Sequence, residues 1–335
     1  MSDKFKVSNS RLTLYLRCPY AHHVKYYGGL VKKLKAMPLQ RGSGVHDAID
    51  TFHKGKSWKK SVATFRKEFN EKHIPSEIQE IGDVPEIVEI ICDNYFEYYG
   101  NDDDLTYLET ELHFMLPLTK DIDMEGYIDG IVEDSKSIVW PLETKVFARW
   151  PDLDFMIFNP QGFRYIWAMN QLGYEPPGIL WNIIAGKPPS KPTLTTKGVL
   201  SKAKLASTPL TVRKGIIELG LDPKDHEDYI NSFEYDSFFL RHQVRIPKNT
   251  VKQYMGETID LAKLIHKEGH KNKIRNFSKD CSWCSYKPIC QADLRGLDVD
   301  FVIKKLYERR ENNGKGKEET KSTRKEKARN RRKDG

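Results

Sequence analysis

The sequence has little of what would place a chain in a membrane or outside a cell. No apolar run approaches the length needed to cross a bilayer. The opening residues, Met1-Ser-Asp-Lys-Phe-Lys, lack the apolar stretch of a secretory signal. Cysteine is scarce, with five in 335 residues. The expectation is a cytoplasmic protein with no membrane partner, kept under reducing conditions. Its cysteines then serve as ligands or core residues rather than as disulfides. The phosphate-binding pattern Gly-x4-Gly-Lys-Ser/Thr is also missing, which excludes a nucleotide-driven motor of that kind.

Charge is abundant and unevenly spread. There are 55 basic and 47 acidic side chains, a formal +8. Residues 311–335 hold ten Lys/Arg against five Asp/Glu, which accounts for +5 and leaves +3 for the rest. That tail has no apolar periodicity and reads as a disordered basic segment that adds non-specific attraction for DNA or nothing at all. Residues 1–310 are expected to form a single domain.

The most informative stretch runs from Gly126 to Lys145. Tyr127 to Val132 and Ile138 to Leu142 alternate apolar with other residues, and Glu133 to Ser137 between them has turn composition. That pattern predicts a β-hairpin. Asp129 lies on the first strand and Glu143 at the end of the second. Paired strands are about 5 Å apart, so both carboxylates can reach one ion. Hard oxygen ligands suit Mg²⁺ or Mn²⁺. Lys145, two residues past Glu143, faces the same side of the strand.

Upstream, Ser8 or Ser10 can cap a short helix that Cys18-Pro19 ends. The glycines of Arg41-Gly-Ser-Gly-Val-His46 suggest a flexible lead into a helix striped by Val45, Ile49 and Phe52. His46, Asp50 and His53 share a neighbouring stripe, with His46 placed to point into a cleft. Pro85 to Tyr99 is an amphipathic helix, and its Cys92 is assigned to packing. Glu109 to Leu118 should be a strand leading into the hairpin.

Downstream, the aromatic segment from Phe147 through Trp150 to Pro160 reads as a loop. It either covers core or offers a surface on which bases stack. Gln161 to Gly173 forms a helix with Gln161 and Tyr165 on one face, stopped by Gly173. Gly178 to Ala185 is a buried strand, residues 186–197 a proline-rich basic connector, and residues 248–269 a helix whose His266 has a helical partner in His270. Strands and helices alternate, so an α/β fold with a central mixed β-sheet flanked by helices is expected. Cys281-x2-Cys284-x5-Cys290 calls for zinc or an iron–sulfur cluster with a fourth ligand. Cys18 is the candidate for that ligand, and His22 or His23 the zinc-type alternative.

Taken in order, Ser-Arg-Leu-x2-Tyr-x2-Cys-Pro, Gly-x-Gly-x-His46, Gly-x2-Asp129 with Glu143-x-Lys145, Gln161-x3-Tyr165 and the cysteine run resemble one known group. It is the RecB/AddB-type iron–sulfur branch of the PD-(D/E)xK nucleases, which includes CRISPR-adaptation exonucleases and phage-encoded relatives. The resemblance spans roughly residues 8–292 and implies a metal-dependent DNA exonuclease, with single-strand endonuclease activity in some members. It implies catalytic-metal ligands His46, Asp129, Glu143 and the Thr144 carbonyl. Lys145 would orient or help deprotonate the attacking water and offset phosphate charge, and Gln161 and Tyr165 would steady the site and contact DNA. Cys18, Cys281, Cys284 and Cys290 would hold a [4Fe–4S] cluster that joins the N-terminal helical region to the C-terminal cysteine segment. DNA, as single strands or ends, would be the substrate. A homo-oligomer or a recombination complex would supply any partner, and the host cytoplasm would be the location of a phage-encoded member. The rival reading is a zinc- or cluster-binding DNA-binding or assembly subunit without catalysis.

Overall fold

Alternating apolar residues between Ile122 and Glu133 build the strand on which the sheet is assembled. The computed structural model describes residues 4–34, 36–75, 78–79, 82–100, 104–201 and 203–310. The basic segment read at 311–335 lies outside them. In chain order the elements begin β1 (Phe5–Val7), α1 (Asn9–Arg17), α2 (Pro19–Tyr26), β2 (Leu30–Lys32), α3 (Met37–His53), α4 (Trp58–Lys72) and α5 (Val84–Tyr99). Next come β3 (Thr106–Pro117), β4 (Ile122–Glu133), β5 (Val139–Phe147), α6 (Pro160–Gln171) and β6 (Gly178–Ala185). The remainder is α7 (Pro209–Glu218), α8 (Glu227–Asn231), β7 (Phe239–Arg245), α9 (Lys248–Glu268), α10 (Lys287–Leu294), α11 (Val299–Leu306) and β8 (Tyr307–Arg309).

Contacts divide the described residues into two compact units, one within 4–23 and 34–279, the other within 24–33 and 280–310. The first holds a mixed sheet in the order β1-β4-β5-β6-β7, with β3 paired to β4. The expected hairpin is β4 and β5, antiparallel from Gly130↔Leu142 to Glu133↔Val139. Its turn is closed by the Asp134 amide donating to the Ile138 carbonyl. The chain then crosses through α6 to β6, which lies parallel to β5. Helices cover both faces. On one, Phe163 and Ile166 of α6 and Met255 and Ile265 of α9 pack with Ile128, Trp181 and Ile183. On the other, Val45 and Ile49 of α3 and Val88 and Ile91 of α5 pack with Ile184 and Phe239. The molecule is therefore a mixed α/β protein with a helix-flanked central sheet. Among the described residues no helix is long and apolar enough to cross a membrane.

Two local expectations change. The glycines before His46 lie inside α3 rather than in a loop. Gly44 is buried, and a Cβ there would stand 3.1 Å from Phe65 and from Val88, so close helix packing explains it. Phe147 belongs to β5, because its carbonyl accepts from Gly186 and its register with Ala185 continues the sheet.

In the second unit β2 pairs antiparallel with β8. The Tyr286 hydroxyl donates to the Leu30 carbonyl and the Tyr307 hydroxyl to the Ser285 carbonyl, tying α10 and β8 to that ribbon.

Candidate metal centre

The site exists because one edge of β4 is left partly bare. Along its other edge β4 pairs with β3. On this edge Ile122 to Met124 pair with β1 and Gly130 to Glu133 with β5, leaving residues 125–129 between two neighbours. Asp129 sits where β4 and β5 part. Its Oδ2 accepts the Thr144 backbone N–H at 2.8 Å, replacing the ladder bond that parting removes. Helix α6 reaches the same stretch, with the Tyr165 hydroxyl donating to the Tyr127 carbonyl.

Helix α3 brings His46 over this gap, with Nδ1 3.2 Å from Asp129 Oδ2. From the opposite side β3 supplies Glu111. One ligand atom each from His46, Glu111 and Asp129 falls within 4.8 Å of the others, the spacing a shared ion requires. They line a cavity of about 10 Å³ together with Asp50 and Thr144, enough for one water-sized sphere. Sequence reading missed Glu111, and antiparallel register is the signal that finds it. Thr110 pairs with Gly130 and Leu112 with Ile128, which sets Glu111 opposite Asp129. Glu111 also holds φ at +47°, just past a bulge at Tyr107/Glu109. A left-handed glutamate within a strand is strained, and such strain concentrates at functional sites.

Glu143 is buried at 4% exposure and anchors a second group. Its Oε1 accepts from Lys145 Nζ at 2.6 Å and from Gln161 Nε2 at 2.8 Å. Gln161 Oε1 accepts from the same Lys145 ammonium at 2.8 Å, and its Nε2 also donates to the Tyr165 hydroxyl at 2.8 Å. With a donor on its oxygen and acceptors on its nitrogen, the amide has one orientation. Asn159 caps α6 through the Gln161 amide, which fixes where Gln161 starts the helix. Glu143 Oε2 is buried with no hydrogen-bond partner.

Electrostatics mark the same place. Burial, then the Asp129 charge, push Glu143 up to about 7 despite the adjacent Lys145. Burial, then Asp129 and Asp50, push Glu111 up to about 7. Burial works against a charged His46, yet the Asp129 hydrogen bond and the negative field of Asp129 and Glu143 outweigh it and raise its pKa. Carboxyls made costly by one another and an orphaned buried oxygen are what a hard divalent cation would relieve. The imidazole-plus-carboxylate donor set fits a divalent cation.

His46, Asp129, Glu143, Thr144, Lys145, Gln161 and Tyr165 thus come together, from α3, the hairpin and α6. The other candidates do not join them as ligands. Asp50 lines the cavity but is paired with Lys54 at 2.7 Å, and His53 stacks on Tyr107. His266 stacks on Phe5. Cys92 is buried in the α5 core, where burial raises its thiol pKa. Cys18 is the C-terminal cap of α1, in the first unit. Cys281, Cys284 and Cys290 lie in the second, Cys281 exposed and the other two half-buried.

A sheet-borne Asp129 and Glu143-x-Lys145, with the His46 imidazole against Asp129, make a candidate divalent-metal site. The sequence profile of the PD-(D/E)XK nuclease superfamily matches residues 6–291. The chain belongs to that superfamily. No curated protein matches it. Among solved structures, SSO0001 is similar at 12% identity and a TM-score of 0.36, covering 87% of this chain and 88% of its own. A protein from Eubacterium rectale, named as a candidate exonuclease, is similar at 13% identity and a TM-score of 0.41, covering 86% and 91%. At those scores neither likeness informs the chemistry.

Proposed function

We propose that the protein is a Mg²⁺- or Mn²⁺-dependent DNA exonuclease acting on single strands or DNA ends. The observation that carries this is the meeting of His46 and Asp129 beside a buried Glu143 whose second oxygen is unpaired. His46, Asp129, Glu143 and the Thr144 carbonyl would hold the ion, and Glu111 joins them from β3. When bound, such an ion acidifies water and offsets charge on the phosphate. Lys145 would orient that water and offset phosphate charge, its ammonium held between Glu143 and Gln161. Gln161 and Tyr165 position the lysine rather than react. End-labelled linear DNA should lose terminal nucleotides when Mn²⁺ is added and stay intact with chelator. Lys145→Ala should cut the rate by about 10²–10⁴-fold in a folded protein; cleavage at the parent rate would refute the site.

We assign Cys18, Cys281, Cys284 and Cys290 to a [4Fe–4S] cluster, supported by the C-x2-C-x5-C spacing and the four thiolates such a cluster takes. Iron content with visible absorption supports this. Zinc without iron favours the rival DNA-binding subunit. We infer work in DNA recombination, repair or phage DNA processing, in the cytoplasm, as the resemblance in the sequence implies.

A further inference from the structure

A 3-10 helix, Leu153–Phe158, follows β5 and precedes α6. Such a helix has three residues per turn, so positions i and i+3 eclipse. Leu153 and Met156 turn inward to the core, Met156 buried. Phe155 and Phe158 therefore share the outward side, 67% and 72% exposed, with ring centroids 5.6 Å apart. Asp152 caps the segment at its start and Asn159 closes it, so this is a fixed platform. The aromatics border an open groove of about 530 Å³, within the size range of ligand sites, lined also by Phe147, Asn159 and Gln161.

Gln161 settles what the groove leads to, because its side chain holds both Lys145 and Glu143. Because Gln161 both lines the groove and bonds Lys145, a strand with a phosphate at Lys145 would lead its next bases toward the groove. Paired bases present edges, whereas unpaired bases present faces that stack on aromatic rings. Arg149 and Trp150, exposed and consecutive in sequence, add a cation and a ring to the segment between β5 and this helix, which suits a polyanion. We propose that Phe155 and Phe158 form a stacking subsite for unpaired bases of the DNA strand entering the metal centre. This rests on the nuclease reading above and specifies its substrate as single-stranded DNA or a frayed end.

The test is a Phe155→Ala/Phe158→Ala double variant with a single-stranded oligonucleotide carrying 2-aminopurine, in buffer without divalent ions. Both residues are exposed, so the variant should fold with an unchanged Tm. The parent should quench the probe. The variant should lose the quench and bind the single strand about tenfold or more weakly, while blunt-duplex binding stays within about twofold. The double Trp replacement should restore the quench. Parent-like quench and affinity in the double Ala variant would overturn the subsite, and if the parent still cleaves DNA, only the subsite falls. A parent that neither binds nor cleaves DNA removes the nuclease reading and the subsite together. Dimerisation of the parent that the variant abolishes would overturn it in favour of a contact between copies.

Discussion

Glu143 is asked to be buried, charged and close to Asp129 at once, and those demands conflict until a cation arrives. Glu143→Gln keeps an oxygen for Lys145 and Gln161 but removes the charge. It should raise the Tm of metal-free protein while abolishing cleavage; a lowered Tm would show that the carboxylate is not a burden. The sign of the pH dependence follows from the same residue. Glu143 and Glu111 stand near 7 in the folded chain against an ordinary 4.5. The folded state therefore holds protons that the unfolded chain releases, and metal-free stability is full below about 4.5 and lost as pH rises toward about 7. Thermal melts with chelator should show a falling Tm across that window, and Mn²⁺ should restore more at the alkaline end. A pH-independent Mn²⁺ shift would contradict this.

At the scale of elements, the site depends on α6 plugging the bare edge of β4. Tyr165→Phe removes the bonds to the Tyr127 carbonyl and to Gln161. It should cost about 1–3 kcal/mol of stability and lower kcat through a displaced Lys145; a chemical-denaturation curve and steady-state rates check both. Helix α3 must likewise sit close to α4 and α5 for His46 to reach Asp129. Gly44→Val should destabilise by about 1–3 kcal/mol through overpacking and weaken ion binding.

What the sequence made readable was what lies within one element or one turn. The hairpin showed in the alternation on either side of Glu133 to Ser137, and Gln161 with Tyr165 showed in helical spacing. Glu111 was hidden because its place opposite Asp129 depends on the β3/β4 register, which no local pattern states. Gly44 misled because glycine serves a tight approach as readily as a loop, and only the positions of Phe65 and Val88 distinguish the two.

At the scale of the whole molecule, the cluster assignment joins residues far apart in sequence. A link of that kind would constrain the unfolded chain by roughly 5 kcal/mol through loop-closure entropy. Removing iron with a chelator, or Cys281→Ala, should lower the Tm sharply and bleach the protein together. Retained stability after iron loss would argue against a structural cluster.

The metal centre is tested most directly by calorimetric titration of Mn²⁺ into metal-free protein, beside Asp129→Ala. The parent should take up Mn²⁺ and release protons below about pH 7, where carboxyls raised to about 7 are still protonated and must ionise to bind, with the release fading at higher pH; the variant should bind at least about tenfold more weakly. Equal binding by the two proteins would show that His46, Asp129 and Glu143 do not share an ion.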